Sequence, residues 1–183
     1  MNIGVDVDDV ITNTSDVLIK YIKEKANKNS SELNILIKDV MRGIVPEEYL
    51  NEYKKDISTL LDNVLVKDNA KHIISNLRKQ GHTIYIITSR KSEALNTDAS
   101  KFTEKFLIRN NIEFDMLIAD AQDKLEECVK YNIDIMIDDS VHICNLLYSN
   151  NINALLFNSK LNIDDDVEYR RVDSWNEIEN FLI

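Results

Sequence analysis

The chain has 183 residues, 44% of them hydrophobic, which suits one domain with a full core and room for a small insertion. Its formal net charge of −10 disfavours a nucleic-acid polymer as a general partner. No apolar run approaches the roughly 18 residues that a membrane-spanning helix requires.

The first strand is expected to bring three carboxylates to one place. An apolar run from Ile3 to Val7 predicts a short buried strand, which delivers Asp6, Asp8 and Asp9 at its C-terminal end. In open α/β sheets this end of the strands is where ligands bind. Three Asp side chains within four positions repel one another and lose hydration, so we expect a divalent cation, Mg²⁺, at this site.

Residues from about 15 to 64 contain no predicted strand. Helical spacing predicts helices over about Ser15–Lys25 and Glu32–Met41, and Pro46 suits the first turn of a third helix. A block of this length exceeds a loop. We therefore expect residues 14–64 to form a helical cap, inserted into a core domain of residues 1–13 and 65–183.

From Val66 onward, predicted helices and strands alternate. Asp68 is expected to cap a helix that Gly81 closes, and a capping box at Ser174–Glu177 opens the last helix. Strands are expected at Thr83–Ile87, Phe114–Ile118, Ile133–Ile137 and Ala154–Phe157. This alternation predicts an α/β fold with a doubly wound, Rossmann-like parallel sheet.

Reactive side chains follow the predicted strands, and parallel strands share one C-terminal edge, so these groups can converge. They are Asp6 and Asp8, Thr88 and Ser89, Lys124 at a helix start, and Asp138 and Asp139. This set suits phosphoryl transfer. A carboxylate can attack phosphorus, and a second carboxyl can exchange a proton with the leaving oxygen and with water. Hydroxyl, N–H and ammonium groups can hold the phosphate, and Mg²⁺ can offset the charge.

The same residues, in this order, resemble the four motifs of the haloacid dehalogenase (HAD) superfamily. The resemblance implies that Asp6 is the nucleophile and a metal ligand. It implies that Asp8 is the general acid/base and binds the metal through its backbone carbonyl. An Asp at this second position is typical of phosphatases, because dehalogenation needs no acid there.

The remaining motifs carry further implied roles. Thr88 and the Ser89 amide would bind phosphate, and Lys124 would balance the charge of the nucleophile and the phosphate. Asp139 aligns with the usual acidic metal ligand, while Asp138 would bind the metal directly or through water. The cap insertion follows the first motif, as in the first cap type of the superfamily.

The small cap, Thr88-Ser89-Arg90 and the terminal Ser-Trp-Asn-Glu-Ile are similar to the 5'(3')-deoxyribonucleotidase family and related bacterial nucleotidases. The resemblance implies a nucleoside monophosphate as substrate. Asp9 stands where that family has a small residue. Between residues 14 and 65 the aromatic side chains are all tyrosines, and Tyr49 and Tyr53 could form a substrate wall or the helix core.

Several alternatives stay open. Arg90 could contact a second phosphate or sugar of the substrate, or form a surface ion pair. The substrate could be a sugar phosphate or another small phosphorylated metabolite. A phospho-acceptor of response-regulator type also uses Asp, Thr/Ser and Lys, and a binding protein could have lost catalysis.

Two cysteines complete the sequence-based expectations. Cys128 and Cys144 have neither metal-site nor redox-motif spacing, so we expect reduced thiols in a cytoplasmic protein. The acidic run follows the first apolar residues at once, so we expect no signal peptide.

Overall fold

The computed structural model describes residues 1–26, 29–41, 45–163 and 165–182. Within these ranges, six parallel strands form one sheet in the order β3-β2-β1-β4-β5-β6. The strands are β1 (Asn2–Val5), β2 (Thr83–Ile87), β3 (Met116–Ile118), β4 (Ile135–Asp138), β5 (Asn153–Phe157) and β6 (Arg171–Val172). The predicted doubly wound α/β sheet is confirmed.

Helices connect the strands and cover both faces of the sheet. The first three follow β1 without an intervening strand: α1 (Thr14–Lys25), α2 (Ser30–Met41) and α3 (Glu47–Asp62). The others alternate with strands: α4 (Ala70–Lys79), α5 (Ser92–Leu95), α6 (Ala99–Arg109), α7 (Lys124–Lys130), α8 (Val141–Ser149) and α9 (Trp175–Leu182). No helix in the described ranges is both long and apolar enough to cross a membrane.

The central strand β1 shows how the core is divided by the sheet. Ile3 and Val5 are fully buried on the face where Trp175 also packs. Gly4 points to the other face, where a Cβ atom would lie 2.5 Å from the Met136 sulfur. On one face of β1, side chains pack against Trp175. On the other face, the backbone of Gly4 itself packs closely against Met136.

The strand order fixes where a ligand can bind. β1 and β4 are neighbours, paired from Ile3 with Ile135 to Val5 with Ile137. The chain order reverses between these two strands, so their C-terminal ends flank the crevice that open α/β sheets use for ligands. Asp6 extends this pairing, because its N–H donates to the Ile137 carbonyl at 2.9 Å.

The chain enters and leaves the three-helix segment α1–α3 through two adjacent antiparallel stretches. Thr12 pairs with Val66, the Asn13 N–H donates to the Leu65 carbonyl at 2.9 Å, and the Lys67 N–H donates to the Ile11 carbonyl at 2.8 Å. The start of α1 thus lies close to the end of β1, and the Thr14 hydroxyl contacts Asp8 there.

Three local expectations were wrong. Asp68 does not cap α4: Asn69 stands at the cap with φ of 63°, a left-handed conformation that Asn tolerates well, and its side chain makes no capping bond. The polar stretch after Arg90 contains the one-turn helix α5, which the sequence pattern did not predict. The two-residue edge strand β6 was not predicted, because Arg171–Val172 is too short to give an apolar pattern.

Candidate active site

A buried lysine links the ends of β1 and β4. The Lys124 Nζ lies 2.7 Å from Asp6 Oδ1 and 2.6 Å from Asp138 Oδ2. All three side chains are buried, at 7% exposure or less. Asp123 fixes the start of α7, because its carboxylate accepts from the N–H of Leu125 at 2.8 Å and thereby places Lys124 at the first helical position.

Burial and mutual charge shift the pKa values of this group. Burial raises the pKa of Asp6 to about 7, with Lys124 opposing the rise and Asp138 and Asp8 adding to it. Burial also acts to lower the pKa of Lys124, but its two carboxylate partners raise it above its ordinary value. The lysine is therefore held as a cation, and it stabilises the ionised form of the carboxylate at the end of β1.

Two residues bind the Asp8 carboxylate: Arg90, in the loop after β2, and Thr14, the first residue of α1. Arg90 Nε donates to Asp8 Oδ2 at 2.8 Å and Arg90 Nη2 donates to Asp8 Oδ1 at 2.7 Å, which makes a two-pronged ion pair. The Thr14 hydroxyl donates to Oδ1 at 2.6 Å. Burial acts to raise the pKa of Asp8, but Arg90 and Thr14 together lower it below its ordinary value.

The residues expected to hold a phosphate follow β2. Thr88 is buried, and its backbone is fixed on both sides by bonds to the Ile118 carbonyl at 2.9 Å and from the Ala121 N–H at 3.0 Å. Its hydroxyl accepts from the Arg90 N–H at 3.4 Å. Ser89, the next residue, is exposed. The structure therefore brings Thr88 to the same edge as Asp6 while leaving Ser89 open to solvent.

Two further carboxylates add negative charge near the ends of β1 and β4. Burial raises the pKa of Asp139 well above its ordinary value, and the charges of Asp138, Asp6 and Asp9 add to the effect. Asp9 is buried in a left-handed conformation with φ of 58°, and its carboxylate accepts from the Ser15 N–H in the first turn of α1 at 2.8 Å. Burial, with the nearby charge of Asp8, also raises its pKa.

These carboxylates allow the expected metal to be tested against the geometry. Within the described ranges, no three His, Cys, Asp or Glu side chains are arranged as a metal site, and Lys124 bridges Asp6 and Asp138. Asp139 makes no hydrogen bond through its carboxylate to the described part of the chain. Three carboxylates, Asp6, Asp138 and Asp139, share the charge of one lysine here, so their oxygen donors and their uncompensated charge fit a divalent cation.

Sequence reasoning missed two contacts of the site. The pairing of Arg90 with Asp8 was not expected, although an arginine after the strand next to the acidic β1 could have suggested it. Asn162, buried in the loop after β5, donates to the Asp139 carbonyl at 2.7 Å and to the Phe157 carbonyl at 2.8 Å. A lone Asn in a polar loop gives no sequence signal for such a backbone contact.

Comparisons with known proteins place the fold. No family model matches the sequence, and no curated protein matches it. Among solved structures, a predicted phosphatase from Clostridium acetobutylicum matches with a TM-score of 0.67 and 17% identity, covering 99% of this chain and 97% of that one.

Two other solved structures agree with this placement. A predicted phosphoglycolate phosphatase from Haemophilus somnus matches with a TM-score of 0.63 and 12% identity, over 100% and 97% of the two chains. A HAD-superfamily hydrolase of subfamily IA from Geobacter sulfurreducens gives 0.64 and 12%, over 100% and 96%. The chain therefore has the fold of HAD-superfamily hydrolases, whereas the closer resemblance to nucleotidases stays a prediction.

Proposed function

We propose that this chain is a phosphomonoester hydrolase of the HAD superfamily that works through an aspartyl-phosphate intermediate. The observation that carries the proposal is the buried contact of Lys124 with Asp6 and Asp138 at the crevice between β1 and β4. A cation between two strand ends offsets the negative charge of a nucleophilic carboxylate. The carboxylate can then approach an anionic phosphate with less repulsion.

In the proposed reaction, an Asp6 carboxylate oxygen attacks the phosphorus and the bond to the ester oxygen breaks. Because Arg90 and Thr14 lower the pKa of Asp8 in this structure, we propose that Asp8 takes up a proton when the phosphate ester binds. It gives this proton to the leaving oxygen, which departs as an alcohol. The Asp8 carboxylate then takes a proton from water, whose oxygen attacks the phosphorus. Inorganic phosphate leaves, the Asp6 carboxylate is restored and Asp8 again holds a proton.

Lys124 and the Thr88 hydroxyl are proposed to hold phosphate oxygens, together with the exposed Ser89. In the proposed site Mg²⁺ would be held by Asp6, the Asp8 carbonyl and Asp139, with Asp138 directly or through water. When bound, the cation would offset charge between the carboxylates and the phosphate. The position of Asp138 on Lys124 in this structure favours the indirect role for that residue.

We propose a small phosphorylated metabolite as substrate, with nucleoside monophosphates first and sugar phosphates as the alternative. We include Tyr53 of α3 in the proposed substrate wall: its ring packs at the edge of the hydrophobic core, and burial and the charge of Asp8 raise its pKa to about 12. Tyr21 packs against it with ring centroids 6.5 Å apart. An aromatic pair of this kind suits a nucleobase, while a single phenol hydroxyl suits a sugar equally well.

The test is phosphate release with Mg²⁺ from nucleoside monophosphates, sugar phosphates and phosphoglycolate, against an EDTA control. We expect release that EDTA abolishes and excess Mg²⁺ restores. Preference for deoxynucleoside monophosphates would support the nucleotidase proposal, and preference for another ester would retain the reaction and replace the substrate. No release from any ester would overturn the proposed function.

The strand order disfavours a phospho-acceptor of response-regulator type. That class has the order 2-1-3-4-5, whereas the order here is β3-β2-β1-β4-β5-β6 with the acidic motif on β1. Intact-mass analysis separates the two functions. Treatment with acetyl phosphate should leave the wild type largely unphosphorylated under turnover, and a stable stoichiometric phospho-protein without phosphate release would favour the acceptor.

A further inference from the structure

The donors of Arg90 are either bonded to Asp8 or enclosed in the protein. Two of its three guanidinium nitrogens are bonded to Asp8 at 2.8 and 2.7 Å. The third, Nη1, is buried and has no hydrogen-bond partner in the described part of the chain. The side chain as a whole is only 3% exposed. An anion in the crevice could therefore reach this arginine only if the buried Nη1 became exposed or the contact with Asp8 broke.

The surroundings of Arg90 keep it in this position. Its guanidinium carbon lies 5.9 Å from the ring centre of Phe102 and 5.7 Å from that of Phe106, both on α6. Two aromatic rings and the two-pronged contact with Asp8 surround the group, and lysine can replace only part of this arrangement because it lacks the planar fork. The arginine is thus part of the core, and two of its guanidinium nitrogens are directed at Asp8, just after the end of β1.

Among the described residues, Arg90 and the Thr14 hydroxyl fill all but one of the hydrogen-bond-accepting positions of the Asp8 carboxylate. Oδ1 accepts from Arg90 Nη2 and from the Thr14 hydroxyl, so two donors fill it. Among the residues that the structure describes, Oδ2 accepts from Arg90 Nε alone. A carboxylate oxygen accepts about two hydrogen bonds, so a single lone-pair position remains, and it is on Oδ2.

We propose that Arg90 is a positioning residue that aims the Asp8 carboxylate, so that Oδ2 alone exchanges the proton with the leaving oxygen and with water. Thr14 provides the second hold, from the first residue of α1. This inference rests on the proposed function, and it replaces the expectation that Arg90 contacts the substrate. The reaction steps are unchanged: Arg90 neither gives nor takes a proton.

A double-mutant cycle tests the proposal. We expect Arg90→Met to lower kcat for phenyl phosphate about 100-fold while KM changes by less than about threefold, because proton transfer loses its alignment. In an Asp8→Asn background the same change should alter kcat by less than about threefold. A substrate contact would instead raise KM about tenfold or more and would do so in both backgrounds, which would overturn the proposal.

The dependence on the leaving group separates alignment from general damage. A proton donor matters most for poor leaving groups, so Arg90→Met should slow phenyl phosphate at least about tenfold more than 2,4-dinitrophenyl phosphate. Equal slowing of both esters would contradict the proposal. Arg78→Met is the matched control: Arg78 binds Asp115 with the same two nitrogens, at 3.1 and 2.6 Å, near the start of β2. We expect it to leave both rates unchanged.

Two milder variants and an unfolding measurement keep the outcome decisive. If Arg90→Met does not fold, Arg90→Lys and Thr14→Val should show the same leaving-group bias at smaller size, about tenfold or less. Equal slowing of both esters by these variants would overturn the proposal.

A urea-unfolding cycle between positions 90 and 8 shows whether the ion pair exists without reference to catalysis. Coupling there with no phosphate release from the wild type would locate the failure in the proposed function. Catalysis without coupling would locate it in this inference.

Discussion

The α/β core and the three-helix segment α1–α3 use charge in opposite ways. In the core, Lys124 is buried between two carboxylates and Arg90 is buried on Asp8. In the segment, Lys25 pairs with Glu52 at 3.3 Å and with Asp56 at 3.8 Å in the open, with 43% of its side chain exposed. Breaking a buried ion pair lowers the free energy of unfolding strongly, whereas an exposed pair contributes little to it. The charged side chains of the site are therefore also the ones that matter for the stability of the core.

The two regions also differ in packing. The core around β1 leaves no room for a methyl group at Gly4, whereas the segment encloses a small cavity of about 20 Å³ lined mainly by aliphatic and tyrosine side chains. A region with tight packing and buried charge holds reacting groups in fixed places. A region with exposed pairs and a cavity tolerates change, which suits a surface that adapts to different substrates.

The largest expected effect is on catalysis in the core. Asp6→Asn removes the proposed nucleophile but keeps its shape, so phosphate release should fall about 1,000-fold or more, or about 4 kcal/mol of transition-state stabilisation. The measurement is phosphate release with Mg²⁺, with circular dichroism to show an unchanged fold. Activity within tenfold of the wild type would reject Asp6 as the nucleophile.

The next effect compares the stability contributed by the buried Lys124 with that contributed by the exposed Lys25. Lys124→Met leaves Asp6 and Asp138 buried without a cation and should lower the free energy of unfolding by about 3–5 kcal/mol. Lys25→Met in the segment should change it by less than about 0.5 kcal/mol. Urea unfolding of both variants gives the comparison. Similar losses at the two lysines would mean that burial does not separate the regions.

Packing provides a smaller effect. Gly4→Ala places a Cβ atom 2.5 Å from the Met136 sulfur and 3.2 Å from an Ile133 methyl, so it should lower the free energy of unfolding by about 1–3 kcal/mol. Val40→Ile, which adds one carbon beside the cavity of the segment, should change it by less than about 0.5 kcal/mol. Thermal unfolding checks both values. Met136→Ala should relieve the Gly4→Ala loss, and no relief would contradict the steric explanation.

The smallest effect lies in a half-exposed ion pair of the core. Hydrogen bonds from Arg78, and one from the Ile84 N–H at 2.8 Å, lower the pKa of Asp115 below its unfolded value of 3.8. A lowered carboxyl pKa contributes stability above about pH 4, and this contribution is lost as the pH falls through the folded pKa. Asp115→Asn should therefore cost less than about 1 kcal/mol at pH 7, and the gap to the wild type should narrow below pH 4. A gap that widens in acid would reverse the assignment.

Much of the core could be predicted because its strands are buried and apolar. The bounds of β2 were predicted residue for residue, since Thr83–Ile87 is a continuous run of strand-forming residues. The convergence of Asp6, Lys124 and Asp138 followed from parallel strands sharing an edge. The division into a core of 1–13 and 65–183 and a cap of 14–64 stays a prediction.

The contacts that sequence could not give depend on side-chain direction. Whether Arg90 faces solvent, substrate or Asp8 is decided by the path of the loop after β2 and by two rings of α6, which lie far from Asp8 in sequence. The left-handed turn at Asn69 was missed for a similar reason, because a cap depends on φ and ψ as well as on residue type. Periodicity predicts elements, and it does not predict these dihedral angles.

The paired stretches at Thr12 and Val66 have a consequence for how such a protein can vary. Residues 13 and 65 are hydrogen-bonded neighbours, so the fifty or so residues between them begin and end at nearly the same point. A short turn could join these ends without moving β1 or α4, and a different insert could be spliced there in the same way. The segment can in this sense vary as a unit: its sequence can change between these two ends without disturbing the sheet, provided that Thr14 and its contact with Asp8 are kept.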